Sequence, residues 1–103
     1  MKQPGFIAPQ LARLVDDPPG GEGWVHEIKF DGYRMQMRVQ GGRAKLFTRK
    51  ALDWTARFPE IAKDGGALPD CIIDGEICAV NAKGASDFGL LQDALSSHKT
   101  GNL

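Results

Sequence analysis

Four residues capable of chemistry crowd around one glycine: Glu27, Lys29, Asp31 and Arg34 flank Gly32 in the stretch from Trp24 to Arg34. A lysine set among two carboxylates and an arginine is a candidate reactive group, with the others as its support. The same residue types also describe a solvated hairpin edge on which a lysine pairs with its neighbouring aspartate, and spacing alone does not separate the two readings. If Trp24 to Phe30 is a strand, Trp24, His26, Ile28 and Phe30 share a core face while Val25, Glu27 and Lys29 share the other. Asp31-Gly32 then makes a tight turn at positive φ. Tyr33 to Gln40 returns with Tyr33, Met35, Met37 and Val39 on one face and Arg34, Gln36, Arg38 and Gln40 on the opposite one. Lys29 is thereby expected at the lip of a hairpin.

A second group of charges lies where apolar residues dominate. Cys71 to Val80 reads as a central strand, interrupted by Asp74 and Glu76, two residues apart and so on one face. Carboxylates inside an apolar strand cost on the order of several kcal/mol unless they are paired or bind something. They serve either a ligand or neighbouring lysines at a rim. Arg49, after Thr48, offers a fork of donors suited to a phosphate, with a surface ion pair as the ordinary alternative.

The elements that must position these groups follow from turn signals and periodicity. Met1 to Gly23 holds four of the six prolines and predicts an extended arm, with one helical turn over Gln10 to Val15, laid on the domain by Phe6, Ile7, Leu11 and Leu14. Gly41-Gly42 predicts a turn into a strand from Ala44 to Thr48. Asp53 or Thr55 is a candidate cap for a short helix reaching Ala62, with Pro59 in its first turn and Phe58 and Ile61 buried. Asn81 to Gly84 predicts another turn. Phe88, Leu91 and Leu95 recur at helical spacing behind Ser86 or Asp87 as cap, predicting a last helix to about Ser97. Trp54 reads as core, and no internal repeat is present.

Composition excludes several classes. The 103 residues suffice for one small domain, and 42% hydrophobic with 25% charged residues describes an ordinary globular chain. Thirteen basic residues balance thirteen acidic ones, so any contact with DNA must be local or lie elsewhere. Cys71 and Cys78 favour free, packed thiols, and His26 and His98 lack partners at metal-ligand spacing. No apolar run is long enough to span a membrane, and the N-terminal residues lack a signal-peptide pattern, so a cytoplasmic location is expected.

Lys29-Phe30-Asp31-Gly32-Tyr33-Arg34 resembles the Lys-x-Asp-Gly-x-Arg nucleotidyl-acceptor motif of ATP-dependent DNA ligases and mRNA capping enzymes. The run Trp24 to Glu27 and the segment Thr48-Arg49-Lys50-Ala51-Leu52-Asp53-Trp54-Thr55 resemble most closely the ligase domain of bacterial end-joining ligases, the ligase D group. The resemblance implies an α+β fold, an antiparallel sheet with short flanking helices, forming the N-terminal part of a nucleotidyltransferase (adenylation) domain. Residues 1–23 would be an arm and 24–103 a partial adenylation domain. It implies ATP and Mg²⁺, or another divalent cation, as cofactors.

By the same resemblance Lys29 is the catalytic nucleophile that forms lysyl-AMP. Glu27 meets the adenine, Arg34 and Arg49 serve the nucleotide, and Glu76 holds the ribose and supports the metal with Asp74 and Asp31. A free lysine, with pKa about 10.4, is neutral in only about one molecule in 2,500 at pH 7, so nearby cations are expected to lower it, with Arg34, Arg49 and the metal as candidates. Asp31 works against that shift. Ala51 stands where related ligases usually have glycine. The resemblance also implies nicked or broken duplex DNA as partner, possible end-joining proteins, no membrane and a monomer. The family's adenine-stacking aromatic, later strands and oligonucleotide-binding barrel would follow Leu103. The chain is therefore expected to fold, but not to seal nicks and to adenylate itself very poorly. The alternatives are an RNA ligase or capping-type nucleotidyltransferase, and a non-catalytic repair interaction module.

Overall fold

The alternation from Tyr33 to Gln40 is realised as a strand, β1 (Tyr33–Gln40), in the computed structural model, which describes residues 2–103. Gly41 and Gly42 follow at φ of 60° and 78°, the backbone signs of a tight hairpin turn whose twist suits its strands, and the chain returns as β2 (Arg43–Thr48). Gln40 pairs with Arg43 and Met35 with Thr48 along this antiparallel ladder. A 3-10 turn (Thr55–Arg57) and α1 (Pro59–Gly65) come next, then β3 (Cys71–Ile77) and α2 (Phe88–Ser96). The result is a small α+β unit with a three-stranded antiparallel sheet in the order β2-β1-β3.

One face of the sheet makes the core. Met35, Leu46, Phe58, Ile77, Leu91 and Leu95 are buried together, with Tyr33, Trp54 and Ile61 packed around them. Tyr33 sits between two aromatic edges, 5.5 Å from Trp54 and 5.2 Å from Phe88, and the Arg57 guanidinium lies 4.4 Å from the centre of the Trp54 ring. Asp87 caps α2 by accepting from the Leu90 N–H at 3.1 Å. Cys71 and Cys78 are free, half-buried thiols.

Several expectations are corrected. Trp24 to Phe30 is not a strand, and its apolar residues are exposed, Val25 and Ile28 most of all. Both edges of β1 are already filled by β2 and β3, so this run cannot pair with β1 as a hairpin would require. Its partner role in a hairpin falls to β3, which lies 38 residues beyond Tyr33 at Cys71. β3 is an edge strand rather than the central one. Asp74 and Glu76 therefore stand on an open face, and the burial cost that made them look anomalous does not arise. The predicted helical turn at Gln10 to Val15 is absent, and Leu11 and Leu14 are exposed instead of packed. A six-residue segment cannot offset the cost of nucleating a helix when its apolar residues Leu11, Leu14 and Val15 have nothing to pack against. Pro59 opens α1 at its first position, and Asp53 accepts from Thr55 instead of capping a helix. The arm and the Trp24 run give a Cα radius of gyration of 15.5 Å, against about 13 Å for a compact chain of this length.

Ala51 has φ of 64°, the left-handed conformation that glycine adopts most easily, and closes a turn by donating its N–H to the Thr48 carbonyl at 2.9 Å. Ala51→Gly should raise stability by up to about 1 kcal/mol, the relieved strain less the added chain entropy of glycine. A melting temperature higher by a few degrees is the expected result; an unchanged or lower one would mean that the turn carries no strain.

Candidate nucleotide site

β1 and β3 place the charged residues by register. Arg34 lies opposite Glu76, Gln36 opposite Asp74, so all four point from the face away from the core. Arg34 forms a two-pronged ion pair with Asp74, Nε to Oδ1 at 3.1 Å and Nη2 to Oδ2 at 2.7 Å, and Nη1 donates to the Gln10 carbonyl at 2.5 Å. The pair holds the Asp74 carboxyl below its usual range and the Arg34 guanidinium above its own, each through the hydrogen bonds between them. Both Asp74 oxygens are taken by this arginine. Glu76 turns instead toward the backbone, accepting from the Gly32 N–H at 3.1 Å.

Gly32 is required by proximity. It does not have positive φ, contrary to the expected turn. A Cβ there would stand 2.0 Å from the Ile77 carbonyl oxygen and 3.0 Å from Cys78 Sγ, so the chain passes β3 at a distance only a hydrogen side chain allows. The approach brings Lys29 and Asp31 beside Glu76. Lys29 Nζ lies 3.0 Å from Asp31 Oδ1, and the Asp31 N–H donates to Ser86 Oγ at 2.9 Å. Ser86 is delivered by the turn over Asn81 to Gly84 and by the bridge between Val80 and Ser86. Its spacing before a helix cap carries no sign of this second task.

Lys29, Glu27, Asp31, Arg34, Asp74 and Glu76 line one open cleft of about 720 Å³. Arg49 is not in it. It lines an adjoining cleft of about 450 Å³ with Lys50, Leu52 and Trp54, and Gly32, Arg34 and Glu76 form the wall between the two. The Lys29 amine is held above its ordinary pKa, first by the hydrogen bond to Asp31, then by the Asp31 charge, with Glu76 adding to it. Arg34, expected to lower that pKa, is instead neutralised by Asp74. The lysine therefore rests as a cation. Burial, followed by Glu76 and Asp31, pushes the Cys78 thiol up, which keeps it protonated and fits its reading as a packing residue.

The direction of the Lys29 shift gives a pH prediction. A raised pKa means that the neutral amine forms only at higher pH, so removing the Asp31 carboxylate should move Lys29 titration to lower pH. Following the Lys29 side-chain methylene beside the amine by NMR through an alkaline titration of wild type and Asp31→Asn measures it. Identical titration curves would show that the ion pair does not persist in solution.

Among the described residues no three or more His, Cys, Asp or Glu side chains are arranged to hold a metal ion. That donor set still suits Mg²⁺, which uses one or two carboxylates and takes its other ligands from phosphates and water. Of the four carboxylates lining the cleft only Asp74 is consumed by an arginine, and Asp31 and Glu76 are the two that meet beside Gly32 and Lys29.

A family model described as the ATP dependent DNA ligase domain matches residues 9–102. The chain belongs to the ATP-dependent DNA ligase domain family. It is 41% identical over 102 residues to the multifunctional non-homologous end joining protein LigD of Pseudomonas aeruginosa, covering 97% of the chain and 12% of that protein. It is 31% identical to the SPbeta prophage-derived DNA ligase-like protein LigB of Bacillus subtilis, covering 92% of the chain and 35% of that protein. The crystal structure of the ligase domain of Mycobacterium tuberculosis LigD superposes with a TM-score of 0.61 at 28% identity, covering 65% of the chain and 23% of that domain. The ligase-family chain thus shares the nucleotidyltransferase fold of that domain and spans a minor part of its relatives' length. No helix among the described residues is long and apolar enough to cross a membrane.

Proposed function

We propose that this chain is the part of an ATP-dependent DNA ligase that carries the nucleotide-accepting lysine, and that Lys29 is that residue. Its neutral amine attacks the α-phosphorus of ATP. A phosphorus–nitrogen bond forms as the bond to pyrophosphate breaks, the amine loses a proton to solvent, and lysyl-AMP remains. In the longer protein the AMP passes to the 5′-phosphate of nicked or broken duplex DNA. Bound Mg²⁺ supplies neutralisation of the phosphate charge. Arg34 and Arg49, in adjoining clefts, serve as phosphate or nucleotide donors, and Glu76 and Glu27 orient the nucleoside. We also propose end-joining repair proteins as partners, a monomer, and a bacterial cytoplasmic setting.

The observation carrying this reading is the convergence on one cleft of Lys29, Arg34 and Glu76, which are separated by up to 47 residues in sequence. A solved mycobacterial DNA ligase D with a similar fold is described as complexed with ATP, which supports the same assignment. Titrating the chain with ATP and Mg²⁺ while following backbone amide signals tests it. Shifts at Lys29, Gly32 and Glu76 are expected. Absence of shifts at these amides with millimolar ATP would reject nucleotide binding at this cleft. Stronger shifts with GTP would favour the capping-type alternative, and a protein partner held equally well by wild type and Lys29→Ala would favour the interaction module.

A further inference from the structure

The outward-facing residues of β1 do more than line a cleft. Arg34, Gln36 and Arg38 each donate to one carbonyl of the N-terminal arm: Arg34 to Gln10, Gln36 Nε2 to Ile7 at 2.7 Å, and Arg38 to Pro4. Residues two apart on the strand thus meet carbonyls three apart on the arm, the repeat of an extended polyproline-like chain without hydrogen bonds of its own. Gln36 is the most buried of the three. It is 8% exposed, and its Oε1 also accepts from the Ile7 N–H at 3.3 Å, so one side chain satisfies both backbone groups of one arm residue. Gln3 fastens the far end through Val39 and Cys71 carbonyls at 2.9 and 3.1 Å, and Phe6 meets the Phe47 ring edge at 6.2 Å between centres.

The near end of this strap reaches the candidate site. The Gln10 carbonyl occupies an Arg34 N–H that neither Asp74 oxygen takes, so three of the five guanidinium N–H groups are engaged, and one is left on each terminal nitrogen. Asp74 by itself fixes the guanidinium plane through an exposed ion pair, which is weak in water. With the carbonyl added, the guanidinium is held from two sides and its free N–H groups keep one direction, between the two clefts that Arg34 divides.

We propose that the arm segment Pro4–Gln10, clasped by Gln36, is a positioning element for Arg34, and through it for nucleotide bound in the adjoining clefts. The part concerning nucleotide rests on the function proposed above, whereas the coupling of arm to Arg34 does not. Gln36 points away from the core, so Gln36→Leu should free the arm while leaving the β1–β2 hairpin intact. Hydrogen exchange should then rise about tenfold or more at the Ile7 amide and at the Arg34 Nε–H, with hairpin amides unchanged. The dissociation constant for ATP with Mg²⁺ should rise severalfold, and Gln36→Glu, which keeps the acceptor for the Ile7 N–H, should recover part of both effects. If Gln36→Leu also loses hairpin protection, the double substitution Gln3→Ala with Phe6→Ala loosens the arm without altering a strand residue of β1, and the same readouts decide.

An exchange-labile Ile7 amide with unchanged Arg34 exchange overturns the proposal, as does released Arg34 with unchanged ATP affinity. A wild-type chain that does not bind ATP overturns the nucleotide reading instead, and the Arg34 exchange still decides whether the arm positions the arginine.

Discussion

Lys29→Ala should reduce protein-bound, alkali-stable label taken up from α-labelled ATP and Mg²⁺ to background, a loss of roughly four orders of magnitude or more against an intact nucleophile. The chain is expected to label slowly, so the comparison needs extended incubation and wild type in parallel. No other group lining the Lys29 cleft can replace the amine. Asp31 and Glu76 are carboxylates, Arg34 is always protonated, and Lys50 lines the adjoining cleft instead. Folding should be unaffected, because the Lys29 side chain is 89% exposed and its one ion pair is with Asp31, itself exposed. Unchanged thermal unfolding with lost labelling is the expected pair of results. Wild-type labelling of Lys29→Ala would remove this residue from the chemistry and move the search to Lys50.

Gly32→Ala should do the reverse and damage structure and site together. The new methyl would sit 2.0 Å from the Ile77 carbonyl oxygen and 2.9 Å from its carbon, both backbone atoms held in the β1–β3 ladder. No side chain can swing aside to relieve that contact. Either the Lys29–Asp31 segment lifts away from β3, breaking the Gly32 N–H bond to Glu76, or the Tyr33–Ile77 pairing opens at its end. Overpacking of this severity costs about 3 kcal/mol, a large share of the stability of a domain of this size. Denaturant unfolding should show that loss, and the ATP-induced amide shifts near Glu76 should disappear as well. A variant as stable as wild type, with ATP shifts retained, would show that the close approach is not kept in solution.

These two outcomes divide along the line between local and distant information. Local patterns were legible because they needed few residues to be satisfied. The β1–β2 hairpin follows from strict alternation and two glycines at positive φ. The last helix follows from Asp87, Leu91 and Leu95. Lys29, Asp31 and Arg34 were visible as a motif because their chemistry depends on residue type and short spacing, and family resemblance added Glu76 from a distant stretch.

What the amino-acid order by itself determined, then, is which segments prefer strand or helix and which side chains can react. Only the tertiary structure decided how they meet, because a strand has two edges and several segments compete for them. Trp24 to Phe30 has strand-like composition, yet β3 took the edge it would have needed, leaving Lys29 on an irregular exposed run. The same pairing put Asp74 beside Arg34, so the arginine meant to depress the lysine pKa is neutralised, and Asp31 raises that pKa instead. Gly32 looked like a turn glycine but is needed for its distance to Ile77, and Gln10 holds Arg34 through a carbonyl that every residue possesses. Backbone carbonyls and strand edges have no residue identity, so the contacts they make are settled by the folded arrangement as a whole.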